Sequence, residues 1–201
     1  MSLITQHPSL FGAWVIWCLG HSLPATKAIK EGLSKLHNLT PQRYRQGYVL
    51  FSLLTLTPLL FWQWQVSAIS APASWPWQIT RICLFSYSVW MLYAGGQSYN
   101  LKEFLGITVA VVTNETGQTP LHRNGILSRV RHPMYSGGIA LLIALGTTPG
   151  DRWDLRLLLA AYLIFGCLIE ERRLITEYGE LYREYMRDVP MLLPRPGKTW
   201  S

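Results

Sequence analysis

The chain has 201 residues, 49% of them hydrophobic and only 14% charged. A soluble domain usually carries about 25% charged residues, so the composition argues against one. The net charge of +7 would suit nucleic acid. The basic residues, however, are scattered through short connections as topology signals rather than gathered into a phosphate-binding stripe, so no nucleic-acid partner is expected. Nine Trp and ten Tyr fit aromatic belts at two water–lipid interfaces.

Five apolar runs read as candidate membrane segments. The first, roughly 10–23, is short, ends at His21 and Pro24, and is either a span or an interfacial helix. The second, roughly 44–66, is long enough to cross a bilayer, as is the third, roughly 75–99. The fourth, roughly 133–148, is short and rich in Gly, and the fifth runs roughly 155–169. Both fall short of the usual length of about 20 apolar residues, which suits a tight helical hairpin turned around Thr147–Asp151. From Glu170 to Val189 the tail predicts an amphipathic helix. Glu171, Leu174, Ile175, Tyr178, Tyr182 and Tyr185 share one face, with Gly179 as a weak point.

Loop charges set an orientation. Lys27, Lys30, Lys35, Arg43 and Arg45 lie between the first two runs, and no Lys or Arg lies between the second and third. More basic residues follow the third run and the fifth. By the positive-inside rule the N-terminus faces out and the C-terminus faces the cytoplasm. The expected fold is an all-α polytopic membrane bundle of about five transmembrane helices with a helical cytoplasmic cap. It forms one domain over 1–201, with the tail from 170 onward. The expected location is a bacterial inner membrane. Cys18, Cys83 and Cys167 lie in different apolar runs without metal-ligand spacing, so buried free thiols are expected and no metal. No cleavable signal peptide and no prenylation box are evident.

Two charged clusters stand at the ends of apolar runs, where ionisable groups are rare unless they pair, bind or react. The first is Arg131-His132-Pro133-Met134-Tyr135. Pro suits the first turn of a helix, which puts Arg131 and His132 at its N-terminal mouth. Backbone N–H groups there favour an anion, and Arg131 adds a fork suited to a carboxylate. A topology-setting Arg beside an interfacial His is the plainer alternative. The second cluster is Glu170-Glu171. Adjacent helix positions point about 100° apart, so one Glu faces a pocket and the other does not. Such a carboxylate would bind an ammonium or sulfonium group or accept a proton, unless it is ordinary interfacial charge. A ligand with a carboxylate, an ammonium and a sulfonium would need both clusters, and S-adenosylmethionine is such a molecule.

Arg131-His132-Pro133-Met134-Tyr135-Ser136-Gly137, Glu170-Glu171-Arg172-Arg173-Leu174, Tyr178-Gly179-Glu180-Leu181-Tyr182-Arg183-Glu184-Tyr185 and Val189-Pro190 resemble the isoprenylcysteine carboxyl methyltransferase and phospholipid methyltransferase superfamily. Within it, Val189–Pro194 and the Glu-Glu-Arg context are most similar to the bacterial methanethiol S-methyltransferases. Gly20-His21-Ser22 and Glu103-Phe104-Leu105-Gly106 resemble that group and also the NnrU-type membrane proteins. Where many members carry G-x-Y-R-Y-V before the Arg-His-Pro, this chain has Gly125-Ile126-Leu127-Ser128-Arg129-Val130. Where the carboxyl methyltransferases carry an Arg before the Glu pair, it has Gly166-Cys167-Leu168-Ile169, which argues against a prenylcysteine acceptor.

The resemblance implies an S-adenosylmethionine-dependent methyltransferase acting on a small thiol or a lipophilic acceptor at the cytoplasmic face. Membrane lipid would surround it, and no obligatory protein partner is evident. By resemblance, Arg131, His132, Pro133 and Tyr135 would bind the cofactor together with Glu170 and Tyr178. Glu171, Glu170 and His132 would be the catalytic candidates, with Glu171 preferred because it shares a face with Leu174 and Tyr178. Tyr182 and Tyr185 would help close the cap. His21 is a further candidate base. The alternative is an NnrU-like haem-binding isomerase or redox-associated protein with His21 and His132 as axial ligands. A non-catalytic membrane scaffold is the third reading.

Overall fold

The computed structural model describes residues 7–66, 74–98, 107, 121–146 and 153–194. Every regular element among them is helical. The seven α-helices are α1 (Pro8–Ser22), α2 (Lys27–Leu36), α3 (Pro41–Val66), α4 (Trp75–Ser98), α5 (Pro133–Ala144), α6 (Trp153–Tyr178) and α7 (Glu180–Asp188). Short 3-10 turns occupy Leu23–Ala25 and Gly125–Ser128. The chain divides into two compact units. One is Met1–Ser70 with Asn100–Val111, and the other is Ala71–Tyr99 with Val112–Ser201.

In the first unit, α1 and α3 pair antiparallel through one ladder of polar rungs. Trp14 Nε1 donates to Gln63 Oε1 at 3.2 Å, and Trp17 Nε1 donates to Thr55 Oγ1 at 3.1 Å. Tyr48 OH lies 2.9 Å from His21 Nε2, and Ser52 Oγ lies 3.0 Å from His21 Nδ1. Ascending positions on α3 thus meet descending positions on α1, at the three- and four-residue spacing that lines one helix face. The outer face of α3 stays bare: Leu50, Leu53, Leu54, Phe61 and Trp64 are all exposed. With 26 residues, α3 is long and apolar enough to cross a membrane, and it alone among the described helices meets both tests. The expected five spans therefore reduce to one that passes by length and composition. The 15 residues of α1 and 12 of α5 are short, while α4 and α6 have the length but not the composition.

The connection between the first two apolar runs is not merely a charged loop but contains the helix α2. Ile29, Leu33 and Leu36 fall on one face, and Lys27, Lys30, Glu31 and Lys35 on the other.

In the second unit, α5 packs closely along α4. A Cβ placed on Gly137 would sit 3.0 Å from Leu92 Cγ and 3.1 Å from both Met91 Cβ and the Ser88 carbonyl oxygen, so any larger residue would press its neighbours on α4. Tyr87 OH and Ser136 Oγ share a 2.7 Å hydrogen bond across the same seam. The last carbonyls of a helix lack intrahelical partners. Around the C-terminus of α5 the carbonyls of Ala144, Leu145 and Gly146 instead accept from Arg81 Nε (3.0 Å), an Arg156 terminal nitrogen (3.0 Å) and Trp77 Nε1 (3.1 Å). Residues 147–152, where the hairpin turn was expected, lie outside the described residues, as does Glu103–Gly106.

The predicted boundary between the fifth segment and the tail does not exist as a break. The helix α6 runs without interruption from Trp153 through Glu170 and Glu171 to Tyr178. Charge there ends the apolar run but not the helix, because Glu, Arg and Leu are good helix formers. The break comes at Gly179, whose φ of 60° and ψ of −128° an L side chain rarely adopts. Past it, α7 buries Tyr182 and Tyr185, which with Val189 form a cluster packed by Leu121, Leu174, Ile175, Tyr178 and Met186. Of the three thiols, Cys18 and Cys167 are buried as expected, whereas Cys83 is exposed on the outer surface of α4.

Candidate functional site

The two charged clusters, about forty residues apart in sequence, meet inside the second unit. Pro133 opens α5, so Arg131 and His132 stand just before its first turn. Glu171 comes from α6, beyond the apolar run that ends at Ile169. Arg131 Nε donates to Glu171 Oε1 at 2.7 Å, one terminal nitrogen reaches the same oxygen at 2.6 Å, and His132 Nε2 lies 3.2 Å from it. All three side chains are buried. The expected carboxylate fork therefore closes on a single oxygen. All three contacts converge on Oε1, and none of them uses Oε2.

The guanidinium also fastens the tail. Its other terminal nitrogen donates to the carbonyls of Met186, at 3.0 Å, and Val189. The backbone N–H groups of Arg131 and His132, expected to favour an anion, donate instead to the carbonyls of Pro190 (2.9 Å) and Met191 (3.1 Å). Tyr185 OH adds a 2.5 Å bond to the Leu127 carbonyl. The segment after α7 is thus strapped across the start of α5 by main-chain carbonyls. The sequence gives no sign of this, because a carbonyl acceptor is present at every residue.

Electrostatics follow from the geometry. Burial alone would raise the pKa of Glu171. The hydrogen bonds from His132 and Arg131, together with the guanidinium charge, outweigh it and hold the carboxyl below its ordinary value. Glu171 is therefore a persistent anion. Because a carboxylate only accepts, His132 donates through Nε2, and a neutral ring then carries its lone pair on Nδ1. The Tyr182 hydroxyl is buried with no hydrogen-bond partner among the described residues. Burial first, and then the Glu171 charge, push its pKa up, so it stays a neutral donor.

The other expected residues sort by distance from this cluster. Pro133 is buried at the first position of α5. Tyr135 is half-buried, with its ring edge-on to His132 at 5.7 Å between centroids and resting on Gly166 of α6. Tyr178 lies in the aromatic cluster of the tail. Glu170 is half-buried one position away and shares none of the contacts made by Glu171. In the other unit both ring nitrogens of His21 are engaged by Tyr48 and Ser52, and its ring stacks on Trp17 at 4.8 Å. An axial haem ligand needs an uncommitted ring nitrogen.

No family model matches the chain, and no solved structure matches it. Curated proteins do. The chain is 34% identical over 196 residues to methanethiol S-methyltransferase 2 of Bradyrhizobium diazoefficiens, covering 90% of this chain and 70% of that one. It is 29% identical to methanethiol S-methyltransferase of Crocosphaera subtropica, covering 98% and 78%, and 28% identical to that of Pseudomonas deceptionensis, covering 89% and 69%. A chain whose described elements are all helical, with this buried cluster and these relatives, is a methyltransferase of the isoprenylcysteine methyltransferase-like group. It belongs to the methanethiol S-methyltransferase family.

Proposed function

We propose that the protein is an integral membrane enzyme that transfers a methyl group from S-adenosylmethionine to a small thiol, with methanethiol as the acceptor named for its relatives. The observation that carries this reading is the Glu171 carboxylate. It is buried and held anionic by Arg131 and His132, whose contacts all fall on Oε1. An anion so held suits a sulfonium or ammonium far better than it suits proton abstraction. The unpartnered Tyr182 hydroxyl in the same electrostatic neighbourhood fits a polar ligand as well.

S-adenosylmethionine, when bound, supplies an electrophilic methyl on a positively charged sulfur. Glu171 would hold positive charge beside it, with Arg131 and His132 fixing that carboxylate in place. Pro133 and Tyr135 shape the α5 side, and Glu170 and Tyr178 line the approach. His132, oriented through Nε2 by Glu171, takes the thiol proton on Nδ1. Transfer would form the acceptor's S–CH3 bond as the donor's breaks, releasing S-adenosylhomocysteine, and burial would favour it because opposite charges are neutralised. Holding the two partners in line supplies much of the acceleration.

Membrane insertion is supported by the 26-residue α3 and by the bare apolar faces of α3 and α4, where Ile79, Ile82, Phe85 and Val89 are also exposed. Apolar surface on this scale is not left to water. The loop charges support an orientation with the N-terminus outside and the C-terminus cytoplasmic. The test is headspace gas chromatography of membranes given S-adenosylmethionine and methanethiol. Dimethyl sulfide should form with wild-type protein and fall at least about a hundredfold with His132→Ala. Equal production by His132→Ala would remove the proposed base, and no product from folded protein would remove the acceptor.

A further inference from the structure

We propose that α2 is an interfacial helix that lies along the membrane surface and binds anionic lipid headgroups. The proposal rests on the membrane reading of α3 and adds a lipid-binding site that this reading does not require. Its faces are cleanly divided. At 100° per residue, Ile29, Leu33 and Leu36 fall within a narrow apolar arc, with Ala28 and Gly32 beside them. Lys27, Glu31 and Ser34 occupy the opposite side, and Lys30 and Lys35 stand on the two borders. A helix with this pattern settles with its apolar face in the acyl boundary while its border lysines reach up to the phosphates.

The apolar arc is used for packing only at Ile29, which is half-buried. Leu36 is 75% exposed and Leu33 is 38% exposed, and no residue of α2 is buried. Its one acidic residue, Glu31, sits 3.9 Å from Lys27, also on the outer side, and that pair is solvent-facing. Lys30 and Lys35 have no acidic partner among the described residues.

Position selects the occupant. Only four residues separate Leu36 from Pro41, where α3 begins, and Tyr44 OH in the first turn of α3 donates to the Pro24 carbonyl at 2.6 Å. The helix α2 is therefore held at the end of the span, at headgroup depth. Arg43 and Arg45 stand on the same end of α3. A basic border around an exposed apolar strip at that depth complements an anionic leaflet.

The test uses full-length protein in vesicles, in a Cys83→Ser background because Cys83 is the exposed native thiol. An environment-sensitive fluorophore is attached through Leu36→Cys, or through Leu54→Cys on the bare face of α3. In vesicles of phosphatidylglycerol and phosphatidylcholine, the label at position 36 should emit to the blue and resist iodide quenching. Both effects should be lost in pure phosphatidylcholine and in the Lys30→Gln/Lys35→Gln variant. A label at position 36 that iodide reaches in anionic vesicles, while the one at position 54 is protected, overturns the proposal and leaves the membrane reading intact. Protection at position 36 that ignores lipid charge and both lysines overturns the headgroup recognition. Quenching at position 54 as well overturns the membrane reading itself.

Discussion

Replacing Arg131 by Met removes one charge and at least four polar contacts at once. Glu171 loses both guanidinium contacts to Oε1, and the carbonyls of Met186 and Val189 lose their donor. The side chains of Arg131 and Glu171 are 7% and 8% exposed, so water cannot replace what is lost. Breaking a buried pair in this way costs about 3–5 kcal/mol, most of it the penalty of an uncompensated buried charge. For a chain of this size each kcal/mol moves the thermal midpoint by about 2–4 °C. Arg131→Met should therefore lower the midpoint by roughly 6–20 °C, read by tryptophan fluorescence in detergent. The Arg131→Met/Glu171→Leu double variant leaves no orphan charge and should recover most of that loss. A single-variant shift under about 2 °C, or a double variant as unstable as the two singles added together, would refute this picture of the cluster.

Three further outcomes follow from the same structure. The Glu171 pKa is depressed on folding, so its stabilisation is complete above the ordinary value of 4.5 and is lost as pH falls below it toward the folded value. Midpoints measured across that window should drop with acid in wild-type protein and stay flatter in Glu171→Gln; equal slopes would assign the acid sensitivity elsewhere. Gly179→Ala forces an L side chain to a φ of 60° and a ψ of −128° and should cost about 1–3 kcal/mol in chemical unfolding, against no measurable change if the break between α6 and α7 is not rigid. Gly137→Leu must push α5 off Leu92, Met91 and the Ser88 carbonyl and should cost at least about 1–3 kcal/mol, with a neutral result showing that the seam can open.

Much of this arrangement was legible in the residues. Composition and apolar runs located α1, α3, α4, α5 and α6, and the rarity of charge at the ends of such runs singled out Arg131, His132 and Glu171 as parts of one site. Their contact with one another was less legible. Each was read as a binder of some external ion, and a cation and an anion both suited to a ligand suit each other equally well. The continuation of α6 to Tyr178 was missed because polarity marks where an apolar run stops, whereas helix propensity decides where the helix stops. The helix α2 was missed because its apolar face holds only three large residues among lysines, a pattern easily taken for a charged loop. The carbonyl strap at 186–191 had no side-chain signature at all.

The central claim is that Glu171, held anionic by Arg131 and His132, binds the positively charged end of the methyl donor. Calorimetric titration of S-adenosylmethionine into detergent-purified protein tests it most directly, with Glu171→Gln and Glu170→Gln alongside. Saturable binding to wild-type and Glu170→Gln protein, weakened at least about tenfold in Glu171→Gln, is the predicted result, since hydrogen bonds to charged groups contribute about 1.5–3 kcal/mol. Unchanged affinity in a folded Glu171→Gln variant, or no binding to folded wild-type protein, would contradict it.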